Sequence, residues 1–199
     1  MKQFLAALFV FSLAIAQDAS KSTAPPAPDP LDLRQKYLYS LDRIGGPGAW
    51  VGFAAHAGLD QLWKRPTNWD DGSDSFGVRM ASHLGARFIH ENVAFGVRAL
   101  AHEDPRYFRK GRGPVLTRVG YAIVNTFEVH NDDGSLMPAY SLFVSCYATP
   151  AIDRDWHQGP FTLGREARTG TIGLGTGVAQ SLWHEFSPDL RKKLPKRFR

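Results

Sequence analysis

From residue 44 onward, apolar and small residues recur at intervals of three and four, interrupted by clusters of Gly, Pro, Asn and Asp. The spacing predicts a first helix at about 47–63, with Pro47 in its opening turn and Arg65-Pro66 beyond its end. Asp70-Asp71-Gly72-Ser73 reads as a loop, and Asp74 or Ser75 can cap a long second helix at about 75–102. Two further segments cover about 115–129 and 138–149, the latter stopping before Pro150. Pro160 opens a last stretch, with a helix at about 163–185 that ends before Pro188. The segments flanking Asn131-Asp132-Asp133-Gly134 are rich in Val, Tyr, Phe and Thr, which also fits a β-hairpin at about 119–145. Helix is preferred there, because a lone hairpin is marginally stable and the other segments are helical. The expected fold class is therefore all-α, a compact bundle of about five helices.

Two of these helices carry stripes of small residues. Gly45, Gly48, Gly52 and Ala55 fall on one side of the first, and Gly170, Gly173, Gly177 and Ser181 on one side of the last. Glycine costs about 1 kcal/mol per site in a helix interior relative to alanine, so each stripe implies a compensating close approach. Tight packing within the bundle accounts for this. Self-association, or contact of the helices with a membrane, would do so as well.

The chain ends differ from its middle. Phe4 to Leu13 is an apolar run behind Lys2, and Ala14-Ile15-Ala16 places small residues where a signal peptidase cleaves, so residues 1–16 read as a secretory signal. Residues 17–32 are rich in Pro, Ala and Ser and read as a linker, leaving a helical domain at 33–190. Six of the nine residues in 191–199 are basic. Residues 17–190 hold 17 basic and 19 acidic groups, a net of −2, so the +5 of the whole chain resides in its ends. A near-neutral body and an export signal argue against nucleic acid as a partner. The single Cys146 excludes an intramolecular disulfide framework.

Ionisable groups concentrate on the second helix, where Arg79, His83, Arg87, His90, Glu91, Arg98 and His102 share an arc of about 140°. A solvated amphipathic face explains the arc; a polar cleft wall is the functional alternative. His102-Glu103-Asp104-Pro105-Arg106-Tyr107-Phe108-Arg109 is the most distinctive stretch. Capping accounts for it structurally, with Asp104 before Pro105 and His102 at a helix end. Chemically, His102, Glu103, Asp104 and Glu91 are candidate acids and bases, and Arg87, Arg98, Arg106 and Arg109 candidate anion ligands. His56 and Asp60, one turn apart on the first helix, could join His102 around a divalent metal, although no signature spacing is present and no cofactor is expected. No phosphate loop, nucleophile elbow or dinucleotide fingerprint occurs.

The stretches YLYSLDRIGGPG, AGLDQLWKRPTNW and HEDPRYFR, with Asn131–Gly134 and Trp183–Pro188, resemble a family of uncharacterised small secreted bacterial proteins. That resemblance implies one exported helical domain and carries over no activity. The expected function is a non-catalytic cell-envelope protein, exported to the periplasm or outer envelope. It would meet anionic lipid or another envelope polyanion through glycine-striped helices and a basic tail containing Lys192, Lys193, Lys196 and Arg197. A homo-oligomer fits the same stripes. The alternative is an envelope hydrolase or transferase built on the His, Glu and Asp candidates.

Overall fold

The computed structural model describes residues 29–64, 72, 75–154 and 162–193. The signal expected at 1–16, most of the expected linker, Lys196 and Arg197 lie outside the described residues. Among the described residues, six helices and one small hairpin follow in order: α1 Leu33–Gly45, α2 Pro47–Leu62, α3 Ser75–Ala101, α4 Val115–Phe127, β1 Glu128–His130, β2 Leu136–Pro138, α5 Tyr140–Asp153 and α6 Leu163–Lys193. The class is all-α. The central α3 carries α1, α2 and α5 on its flanks, while α6 packs on α5 and α4.

Helix α1 has no counterpart among the sequence-predicted helices. Its start is a capping box: Asp32 accepts from the Gln35 N–H at 2.7 Å, and the Gln35 side chain accepts from the Asp32 N–H at 2.9 Å. At 115–149 both readings hold in part. The two segments are helices, and between them three residues of each strand pair antiparallel, from Glu128↔Pro138 to His130↔Leu136. The turn closes with the Asn131 N–H donating to the Ser135 carbonyl and Gly134 at φ +85°.

Both prolines taken as stops lie inside helices: Pro150 in α5 and Pro188 in α6. Pro150 has no N–H, so the Cys146 carbonyl lacks its helical donor. Helix α6 approaches most closely at this point. A Cβ at Gly170 would clash with the Tyr147 ring and stand 3.0 Å from the Cys146 carbonyl oxygen. A Cβ at Gly173 would lie 3.1 Å from the Cys146 Sγ, and one at Gly177 would lie 3.3 Å from Leu142. The α6 stripe is thus the seat of α5. The other stripe differs: a Cβ at Gly45, Gly48 or Gly52 would meet nothing within 4 Å.

This asymmetry sets an expected result. Gly173→Leu should destabilise the fold by about 1–3 kcal/mol or more through overpacking, whereas Gly48→Leu should be tolerated. Thermal midpoints of the two variants measured side by side check it; equal midpoints would remove the packing role of α6.

Candidate functional site

The middle of the ionisable arc of α3 points into the bundle, while His102 beyond its end is exposed. Glu91 is completely buried, Arg79 is 1% exposed and Arg98 9% exposed. The expectation of a solvated face is therefore corrected, because the neighbouring helices supply polar partners that water would otherwise provide. Glu91 is the centre of the network. Its Oε1 accepts from Arg43 Nε of α1 at 2.8 Å and from Arg87 Nη2 at 3.0 Å, one turn back on α3. Its Oε2 accepts from Arg98 Nη1 at 3.3 Å. Arg43 also donates to Gln180 of α6 at 2.9 Å, and Arg98 to the Ser40 hydroxyl of α1 at 3.2 Å. Three guanidinium groups thus surround one carboxylate and tie α1, α3 and α6 together.

The HEDPRYFR stretch organises the end of the bundle. His102 ends α3 in the left-handed conformation, φ +57°, and the Glu103 N–H reaches back to the Arg98 carbonyl at 3.1 Å. This is the closing geometry of a Schellman motif, with His in the place that glycine usually takes. The chain then runs along the hairpin: Asp132 N–H donates to the His102 carbonyl and Asp104 N–H to the His130 carbonyl. Buried Glu103 receives the Ser141 N–H on both oxygens, at 3.0 and 3.3 Å, and so satisfies the start of α5. Asp104 receives the Arg106 N–H and Nε–H, each at 2.9 Å. These bonds hold the Arg106 guanidinium charged and move its pKa further up. Burial of the His130 ring lowers its pKa, against the pull of Asp104.

The same stretch then grips α6. Glu185 is completely buried, and its oxygens accept from the Gly111 N–H at 2.9 Å, the Lys110 N–H at 3.0 Å, Arg118 Nε at 2.7 Å and the Tyr107 hydroxyl at 3.3 Å. Burial, followed by the Glu185 charge, pushes the Tyr107 phenol well above its usual range. The Glu185 carbonyl accepts from Arg109 Nε and Arg118 Nη2, and both guanidinium groups pair with Asp189, at 2.6 and 2.7 Å. Arg109 is therefore engaged in holding α6. Arg43, Arg118 and Gln180 are not among the candidates that the sequence offers. Their partners lie 48 to 137 positions away, so no local spacing could mark them.

His56 and Asp60 do not meet His102. Asp60 Oδ2 lies 2.7 Å from His83 Nε2, and the His56 and His83 rings are 5.5 Å apart. His102 is 19 residues further along α3, about 28 Å at helical rise. His102 Nδ1 faces Asp132 at 3.4 Å, and Asp132 also binds buried Lys36 at 2.7 Å. The metal grouping predicted from sequence is not assembled, and no group of three or more His, Cys, Asp or Glu able to hold a metal occurs among the described residues. Of the candidates, the fold brings Arg87, Glu91 and Arg98 together. Glu103, Asp104 and Arg106 sit beside them on the wall of one cavity of about 110 Å³, which Arg43 and Arg98 also line.

The outer surface is the counterpart of this interior. Val51, Leu62, Phe88, Leu100, Leu116, Ile172 and Trp183 are all more than half exposed. Between their ends, α2, α3, α4 and α5, and residues 169–190 of α6, carry no fully exposed Asp, Glu, Lys or Arg; Asp60, Arg87 and Asp189 are half-buried and paired. The exposed charges sit at helix ends, in α1 and in loops, as with Lys64, Lys110, Arg112, Glu128, Arg165, Arg168, Arg191 and Lys192. No family model, curated protein or solved structure matches the chain.

Proposed function

We propose that this chain is a non-catalytic protein of the cell envelope whose helical domain is seated in lipid. The reading is carried by one observation, the inverted distribution of side chains. In a protein surrounded by water, large apolar groups fill the core and unpaired charges stay outside. Here, among the described residues, the buried polar set includes Lys36, Arg79, Glu91, Arg98, Glu103, Arg118 and Glu185, and the sizeable buried apolar side chains are Ile44 and Phe53. Ionisable groups in a bilayer face the bundle interior and pair with one another, which is the arrangement described above.

No helix among the described residues is long and apolar enough to cross a membrane. An average over a whole helix mixes its two faces, however, and α3 and α4 turn their mid-helix charges Glu91, Arg98 and Arg118 inward. The outer stretch 169–190, with no fully exposed charge, is about 33 Å long, comparable with a hydrocarbon core of about 30 Å. Apolar faces on every helix favour a surrounding lipid phase over a single protein partner, which would need one patch. An export leader at 1–16 would carry the domain to the envelope, and α6 brings Arg191 and Lys192 to one end, where anionic headgroups would meet them.

The test is extraction. Membranes bearing the full chain, and a variant lacking residues 194–199, are washed with about 1 M salt, where charge attraction is screened within about 3 Å. Both proteins should stay with the membrane and leave it only with detergent. Release by salt would reduce the contact to the basic tail. A monodisperse monomer in plain buffer would refute the lipid reading.

A further inference from the structure

The arginine network has more positive charge than its own carboxylates neutralise. Arg43, Arg87 and Arg98 share Glu91, a surplus of two. On the cavity wall Asp104 is matched by Arg106, and Glu103 contributes one further negative charge. Among the charged side chains that line the cavity, Arg43, Arg98 and Arg106 face Glu103 and Asp104, one positive charge in excess, with Asp29 and Asp132 acting on Arg106 from outside the lining. A buried charge without a partner is expensive in any low-dielectric interior.

Donors toward the cavity are unspent as well. The Arg98 bonds all leave from Nη1, so Nε–H and the Nη2 hydrogens have no partner among the described residues. Gln180 uses its oxygen on Arg43 and keeps its amide hydrogens. The buried Ser181 hydroxyl has no partner among the described residues either, and all three side chains line the cavity. The wall carboxylates are already occupied, Glu103 by Ser141 and Asp104 by Arg106. Water would satisfy the donors but brings no charge. The cavity, at about 110 Å³, has several times the room that one water needs.

We propose that this cavity binds one singly charged oxyanion presenting two oxygens, the form of a phosphodiester. Arg98 grips it through Nε and Nη2, the forked geometry that suits two acceptor oxygens. Gln180 and Ser181 complete the contact from α6. The phosphodiester could belong to a lipid headgroup or to a small solute. The cavity lies where α3 ends and α5 begins, at one end of the bundle, so both routes are open.

The probe is dimethyl phosphate, added to the full chain in uncharged maltoside micelles and followed through the arginine Nε–H resonances. Saturable shifts of the Arg98 signal are expected, with a rise in thermal midpoint that an equal concentration of sodium chloride does not give. Arg98→Gln should weaken binding about tenfold or more. Gln180→Leu, which leaves the Glu91 network its three arginines, should weaken it severalfold, and it keeps the test decisive if Arg98→Gln fails to fold. A lipid source is indicated if phosphatidylglycerol bilayers already produce the shift and dimethyl phosphate adds nothing. A soluble source is indicated if the signal still responds there. No shift at tens of millimolar (roughly ten-thousandfold above micromolar affinity), or equal binding by both variants, overturns the proposal.

Discussion

Glu91→Gln is expected to lower stability by about 3–5 kcal/mol, the cost of breaking a buried ion pair by removing one partner. The isosteric amide keeps the shape but accepts on one oxygen only, so the loss combines the missing charge with an NH2 donor turned toward an arginine donor. Arg43, Arg87 and Arg98 would be left within one buried cluster with no carboxylate among them. At close range such cations repel strongly in a low-dielectric surrounding. Chemical denaturation of the wild type and the variant in the same uncharged micelles measures it. A shift below about 1 kcal/mol would mean that the cluster is hydrated and that the interior is wetter than its burial implies.

Phe88→Lys separates lipid from water as the neighbour of the outer surface. Phe88 is at the midpoint of α3 and 53% exposed. In water, lysine is the better helix former and the change should stay within about 0.5 kcal/mol. In lipid, a lysine at the centre of a helix costs about 2.5–3.5 kcal/mol on insertion scales. The variant should therefore insert poorly and melt earlier in bilayers. Leu190→Lys serves as the control, because Leu190 is exposed beside Arg191 near the end of α6 and should accept the charge. Indistinguishable behaviour of the two variants would show that the apolar faces meet water or another protein.

Hydrophobic periodicity was enough to place α3 within one residue of its ends, since a 27-residue helix repeats its pattern many times. It also located the segments that became α4 and α5. It failed where tertiary context decides. Asp32 and Gln35 lie at the edge of a proline-rich run, so the capping box of α1 was absorbed into the linker. Pro150 and Pro188 were read as stops, yet α5 and α6 continue through them, with Gly170 of α6 packed beside the carbonyl that Pro150 frees. The larger error was one of direction. A helical pattern separates two faces without saying which one meets solvent, and the usual assignment turned the charged face of α3 outward. Only the positions of Arg43 and Gln180, far away in sequence, reverse that assignment. The HEDPRYFR stretch is distinctive for another capping role than the one predicted: no helix begins at Pro105, and Glu103 rather than Asp104 satisfies a helix start, that of α5.

The grip on Glu185 has a consequence for the order of events in the life of the chain. The Lys110 and Gly111 N–H groups and the Arg118 guanidinium wait for a carboxylate that leaves the ribosome 67 to 75 residues later. Asp132 likewise closes on Lys36 across 96 positions. Contacts of such long range form late, because closing the intervening loop must precede any gain. An incomplete chain therefore cannot commit to this architecture, however helical its early segments are. A domain whose polar locks close only when α6 arrives therefore stays open along its earlier segments until that helix has been made.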